Sequence, residues 1–270
     1  MSSLFSSVKI KNKIEECHNR KGKAIAFFPV GCTEQHGPLL PIQTDTIISE
    51  GVSSYLSDAI GDNHWGYVFP AISYSPTKSN TNYAGTVSVD EETLRQYIKQ
   101  ICNSTLGTGF DAIVLVSGHG PVDPSLNEIS FNLVHEQYVK KNLVIKPVFV
   151  LSIYACRSIL ENKFGQQSGQ HADWREFLYL LHILGNNYFD KKKIDELIAF
   201  QKENSFTIKK SPVFGVPMEL RSVQGVMGDP IPISNGDWGD LARTAWEETT
   251  EHLTGLLRQK LNDFWDATLC

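Results

Sequence analysis

Two short and nearly unbroken apolar runs constrain this chain most. Lys23-Ala-Ile-Ala-Phe-Phe-Pro-Val-Gly31 and Ala112-Ile-Val-Leu-Val116 are too short for buried helices, and both stop at glycine-containing turns. Runs of this kind read as strands buried on both faces, which is the signature of a parallel sheet covered by helices. Gly66 to Ser73 and Leu143 to Tyr154 read as two more strands, with Pro70 marking an end or an edge. Helical spacing lies between and after them: Thr44–Ile60, a stretch opened by Asp90 and closed near Gly107 or Gly109, Leu126–Tyr138, Glu176–Leu184, Ile194–Gln201 and a long pattern from Asp240 through Leu261. Strands alternating with helices predict an α/β fold, a three-layer α/β/α sandwich with a mainly parallel sheet.

The composition sets the outer bounds. In 270 residues, 41% are hydrophobic and 20% charged, which is globular and excludes disorder. We read residues 1–270 as one domain, since the loop-rich stretch Asn204–Asp237, with Pro212, Pro217, Pro230 and Pro232, is too apolar for a linker. A net charge of −5 with no basic block leaves no footprint for nucleic acid or an anionic membrane. No apolar run approaches the ~18 residues needed to span a bilayer, and Met1–Ser7 is Ser-rich without an apolar core. The cysteines, Cys17, Cys32, Cys102, Cys156 and Cys270, are scattered and odd in number. They read as reduced thiols of a cytoplasmic protein.

Ligands of open α/β sheets bind beyond the carboxyl ends of the strands. Three polar clusters fall near such ends: Gly31-Cys-Thr-Glu34-Gln-His36-Gly-Pro with Asp45 nine residues past His36, Ser117-Gly-His119-Gly, and His171-Ala-Asp-Trp-Arg-Glu176. One histidine after a strand is ordinarily a hydrogen-bonding residue. Three clusters at one rim point to a centre for Zn²⁺, Mn²⁺ or Fe²⁺, because carboxylates and imidazoles suit those ions. Asp45 is of the type that bridges two ions. On a continuous helix His171 and Glu176 would lie roughly 140° apart, so a turn is expected near Ala172–Asp173, with the helix starting after it. Tyr83, Tyr154 and Trp174 are candidate substrate contacts, with Asn80 and Arg157 beside them.

The segment Glu34-Gln-His36-Gly-Pro-Leu-Leu-Pro-Ile-Gln-Thr-Asp45-Thr resembles the N-terminal signature of the creatininase (creatinine amidohydrolase) family. Ala84-Gly-Thr-Val-Ser88, Gly118-His119-Gly120, His171…Glu176 and Gly225-Val-Met-Gly228-Asp229-Pro230 resemble later segments of that family in the same order. The resemblance implies an α/β/α sandwich, amide-bond hydrolysis of a small-molecule substrate, two divalent ions per chain and a homo-oligomer, usually a hexamer. It implies one ion on Glu34, Asp45 and His119, and the other on His36, Asp45 and Glu176. His171 would pass a proton to the leaving nitrogen, with Glu176 beside it in the catalytic site.

The chain departs from the family pattern at Pro121, Val122, Gln166–Gln170, Phe177 and Leu178. Pro121 stands where creatinine hydrolases carry an acidic ligand. These departures argue against creatinine and for another amide, cyclic amide or formamide. Processing of a peptide terminus is the second reading, and a non-catalytic ligand-binding member of the family is the third.

Overall fold

The computed structural model describes residues 4–61, 63–141, 143–168, 171–204, 217–222, 224–233 and 237–268. Pro212, Gln170 and Cys270, together with Met1–Ser3, lie outside the described residues.

Four parallel strands form one sheet: β1 (Ala24–Val30), β2 (Trp65–Val68), β3 (Ala112–Ser117) and β4 (Val148–Ser152), in the order β2-β1-β3-β4. The two runs that dominate the sequence are the two central strands, and every residue of both is buried. Side chains alternate along them. Ile25, Phe27, Val114 and Val116 face one core with α2 (Thr44–Ala59), α6 (Trp174–Leu184), α7 (Lys191–Glu203) and α8 (Trp238–Thr268). Ala26, Phe28, Ile113 and Leu115 face the other core with α1 (Ser7–Asn19), α3 (Glu91–Leu106) and α4 (Asp123–Val139). A short helix, α5 (Arg157–Phe164), follows β4. The expected three-layer α/β/α sandwich is what forms.

The outer strands are shorter than the sequence suggests. β2 stops at Val68, and Ile72 makes a single bridge to Val30 instead of continuing the ladder. β4 begins at Val148, and Leu143 is fully exposed. α1 and α5 are additions to the sequence reading. α1 buries only Ile14 and Cys17, and α5 only Leu160, so neither carries a strong apolar stripe.

The segment after His171 breaks as expected. Ala172 adopts a left-handed φ of 52°, and Asp173 caps α6 by accepting from the Arg175 amide at 3.0 Å. Two glycines bring α2 against the sheet. A Cβ on Gly31 would lie 2.5 Å from the Thr46 backbone, and one on Gly118 would lie 2.3 Å from the Asp45 carbonyl oxygen. Only glycine at the ends of β1 and β3 lets the first turn of α2 come this close.

Candidate metal centre

That close approach sets Asp45, in the first turn of α2, over the carboxyl ends of the central strands. The loop after β1 supplies Cys32, Glu34 and His36, and the loop after β3 supplies His119. Glu176 lies in the first turn of α6. Both Asp45 and Glu176 therefore sit at helix N-termini, where the peptide dipoles favour negative charge. Glu34, His36, Asp45, His119 and Glu176 are each at most 2% exposed, and His171 is 8% exposed.

Asp45 faces both ways. Its Oδ1 lies 3.1 Å from His36 Nε2, and its Oδ2 lies 2.9 Å from His119 Nδ1. On the first side Glu176 Oε2 is 3.7 Å from His36 Nε2. On the second side Glu34 Oε1 is 3.3 Å from His119 Nδ1. The donor atoms thus gather as His36–Asp45–Glu176 and as Cys32–Glu34–Asp45–His119, with a third group, Glu34–His36–His171, joining the two sides; the atoms of each group lie within 4.8 Å of one another.

Neighbouring groups fix each ligand's orientation. His119 Nε2 donates to the Pro76 carbonyl at 3.0 Å, which leaves Nδ1 a lone pair for the centre. His36 Nδ1 donates to the Glu34 carbonyl at 3.1 Å and frees Nε2. The Gln35 amide nitrogen donates to Asn80 Oδ1 and to the Gly225 carbonyl, so His171 Nε2 is left to donate to the Gln35 carbonyl at 2.8 Å. The remaining His171 nitrogen, Nδ1, faces Glu34 Oε1 at 3.6 Å. Thr77 and Asn80 donate to Glu34 Oε2, leaving Oε1 for the cluster. The Ala172 amide and the Tyr154 hydroxyl donate to the two oxygens of Glu176. Outer partners of this kind hold a metal ligand's tautomer and direction.

The charge balance tests whether cations fit here. Among the described residues, no lysine or arginine pairs with Glu34, Asp45 or Glu176; their ion-pair partners are histidines alone. Without metal the histidines must hold the compensating charge. Burial opposes a charge on His36, but Asp45 overrides it and raises the group to about 10. Burial pushes Glu176 up to about 8 against the pull of His36. His171 goes the other way: burial, then the neighbouring charge of His36, depress it to about 4. Apart from the field of the buried Arg175, which is paired with Asp173 and acts on Glu176, the buried acids face imidazoles, a donor set that two divalent ions would neutralise.

Beside the cluster lies a cavity of about 560 Å³, lined by Glu34, His119 and His171 on one side and by Tyr154, Arg157 and Arg221 on another. Of the three expected substrate contacts, Tyr154 lines this space. Tyr83 does not; its hydroxyl donates to the Ser222 carbonyl at 2.6 Å and braces the loop beside the cavity. Trp174 is a correction. It is fully buried against Phe164, with its indole donating to the Gln167 carbonyl, because the first residue of α6 points into the core. Thr77, Asp123 and Arg221 belong to the site without any motif to mark them, and the thiol of Cys32 joins it. Cys32 alone carried a signal, its place inside the first polar cluster.

A parallel α/β sheet with an aspartate shared by two buried donor groups at its carboxyl edge defines an α/β protein with a candidate two-ion centre. The chain belongs to the creatininase family, whose sequence pattern, described as creatinine amidohydrolase, matches residues 11–254. It is 34% identical over 99 residues to the mycofactocin precursor peptide peptidase of Mycobacterium ulcerans (strain Agy99), covering 35% of this chain and 39% of that protein. It is 29% identical over 103 residues to the creatinine amidohydrolase of Pseudomonas putida, covering 36% and 38%. These matches span well under half the length of either relative. A crystal structure of creatinine amidohydrolase superposes with a TM-score of 0.75 at 18% identity, covering 95% of both chains. No described helix is long and apolar enough to cross a membrane.

Proposed function

We propose that this chain is a metal-dependent hydrolase of a C–N bond in an amide, cyclic amide or formamide other than creatinine. The observation that carries the reading is Asp45, whose two oxygens face two separate donor groups. Glu34, Asp45 and His119 would hold one ion, and His36, Asp45 and Glu176 the other. Creatininases of the same fold are described in a manganese form and in a mutant zinc–zinc form. Two such ions would acidify a water near neutrality and polarise the substrate carbonyl.

The chain's own groups supply the rest. Burial holds His171 below the ordinary imidazole range, which favours the neutral form whose Nδ1 can accept the proton of the attacking water. It then donates that proton to the leaving nitrogen, which otherwise departs poorly. Gln35 holds the imidazole in the tautomer this relay needs. Arg157, paired with Glu161, and Arg221 line the cavity together with Asp123.

Trimming of a peptide terminus is the second reading. A cavity of about 560 Å³ suits a ligand larger than a small ring, and the peptidase of Mycobacterium ulcerans is 34% identical over its matched stretch. The described cysteines, Cys17, Cys32, Cys102 and Cys156, are all free and buried, which supports a reducing, cytoplasmic setting. The family resemblance supports, for either reading, a homo-oligomer as the working form.

The test is elemental analysis of chelator-free protein beside an Asp45→Ala variant, followed by mass-spectrometric screening of cyclic amides, formamides and short peptides. Near two ions per chain, lost in the variant together with turnover, is the expected result. A chain that takes up neither Zn²⁺ nor Mn²⁺ overturns the reading.

A further inference from the structure

The two donor groups are not equivalent. On the His36 side, His36, Asp45 and Glu176 offer three protein donors. On the His119 side a fourth donor stands beside Glu34, Asp45 and His119, the thiol of Cys32, which is fully buried. Its Sγ lies 3.0 Å from Asp45 Oδ2 and 3.4 Å from His119 Nδ1. Thiolate, imidazole and carboxylate donors around a tetrahedral ion sit ~2.0–2.3 Å from it, and therefore about 3.3–3.6 Å from one another. Cys32 Sγ to His119 Nδ1 at 3.4 Å and Glu34 Oε1 to His119 Nδ1 at 3.3 Å match that spacing; Asp45 Oδ2 stands closer, 3.0 Å from Sγ and 2.9 Å from Nδ1, and all four atoms lie within 4.8 Å of one another.

We propose that Cys32 is a thiolate ligand of the ion held by Glu34, Asp45 and His119. This rests on the two-ion reading above and adds an asymmetry to it. The His119 site becomes a closed, four-ligand site with a soft donor, and the His36 site keeps three protein ligands and an open position. A soft thiolate favours Zn²⁺ over Mn²⁺ or Mg²⁺, and closed four-ligand sets are characteristic of tightly held ions, whereas open three-ligand sets serve catalysis.

The chemistry balances. In the metal-free chain the Cys32 thiol donates its hydrogen to Asp45 Oδ2. When the ion enters, the Cys32 S–H bond and the His119 Nδ1–H bond break, both protons leave to solvent, and the freed sulfur and nitrogen electron pairs form the bonds to the metal. Asp45 Oδ2 exchanges that hydrogen bond for the same ion. Cys17, Cys102 and Cys156 have no part in the donor groups found among the described residues.

The experiment uses Co²⁺ as the probe, added to chelator-stripped full-length protein in thiol-free buffer. The first equivalent should bring the intense near-ultraviolet absorption of thiolate-to-cobalt charge transfer. Cys32→Ser should abolish that band and weaken the first equivalent at least about tenfold, the cost of losing even an outer partner of a ligand. Cys156→Ser should keep the band. The wild-type spectrum decides the matter even where the Cys32 variant folds poorly. Two cobalt ions bound with no such band, or a band that persists in Cys32→Ser, overturns the assignment and leaves the two-ion reading intact. A chain that binds no cobalt overturns both.

Discussion

The Tyr154 hydroxyl stands 3.3 Å from Glu176 Oε1 and donates to it, while the backbone amide of Ala172 holds the other oxygen. Burial and the charge of Glu176 raise Tyr154 well above the ordinary phenol range, so it stays a donor at every working pH. Tyr154 also lines the cavity, so one side chain both orients a carboxylate of the cluster and meets whatever binds beside it.

Tyr154→Phe removes that donor and little packing. Hydrogen bonds to charged groups contribute about 1.5–3 kcal/mol. We expect kcat/KM on the best amide substrate to fall roughly 10- to 100-fold, with urea stability changed by less than about 1 kcal/mol. Unchanged kinetics in the variant would remove Tyr154 from the site's working parts.

Gly118→Ala is expected to disturb the centre from a distance. The new methyl would lie 2.3 Å from the Asp45 carbonyl oxygen, a backbone atom that cannot rotate away. Overpacking of this kind costs about 1–3 kcal/mol. Urea unfolding should show that loss, and elemental analysis should show fewer ions per chain, because α2 must move and carry Asp45 with it.

Metal uptake should release protons. At pH 7 the metal-free chain protonates His36, raised to about 10, and Glu176, raised to about 8. It also protonates His119: burial opposes that charge, but Glu34 and the hydrogen bond to Asp45 override it. An ion must displace these protons, so affinity rises with pH and falls in acid. Titration calorimetry in buffers of different ionisation enthalpy should report net proton release, with apparent Kd for Zn²⁺ tightening between pH 6 and 8. A pH-independent Kd would contradict this proton balance.

Asp173 is predicted to be worth more to stability than any surface acid. It caps α6, accepts from Ser168 Oγ at 2.6 Å and faces the fully buried guanidinium of Arg175 at 3.4 Å. Asp173→Ala leaves that cation without its carboxylate, and breaking a buried pair costs about 3–5 kcal/mol. Glu91→Ala, whose partner Arg95 is a surface contact at 3.4 Å, should cost less than about 1 kcal/mol by the same urea assay.

The sequence shows its central strands plainly because β1 and β3 are buried on both faces and leave no room for polar residues. It shows β2, α1 and α5 poorly because each buries few side chains, and burial is what writes a pattern. The acids and imidazoles gathered around Asp45 were legible as clusters after strands, and the break at Ala172 followed from helix geometry. Thr77, Asn80 and Arg221 were not legible as one unit, since only the folded chain brings them to Glu34 and the cavity. Trp174 was misread for a related reason: the direction of a side chain on the first turn of α6 is set by packing against Phe164, which no local spacing encodes.

His36 and Glu176 come from opposite ends of the topology, one after the first strand and the other on a helix that follows the last. The cluster therefore exists only after the whole sheet has paired and α6 has docked. A chain emerging from the ribosome has no complete set of ligands to offer until late in folding, so ions select the finished fold and stabilise it by mass action. Metal occupancy would thus act as a proofreading step, separating chains that have docked α6 beside the loop after β1 from those that have not.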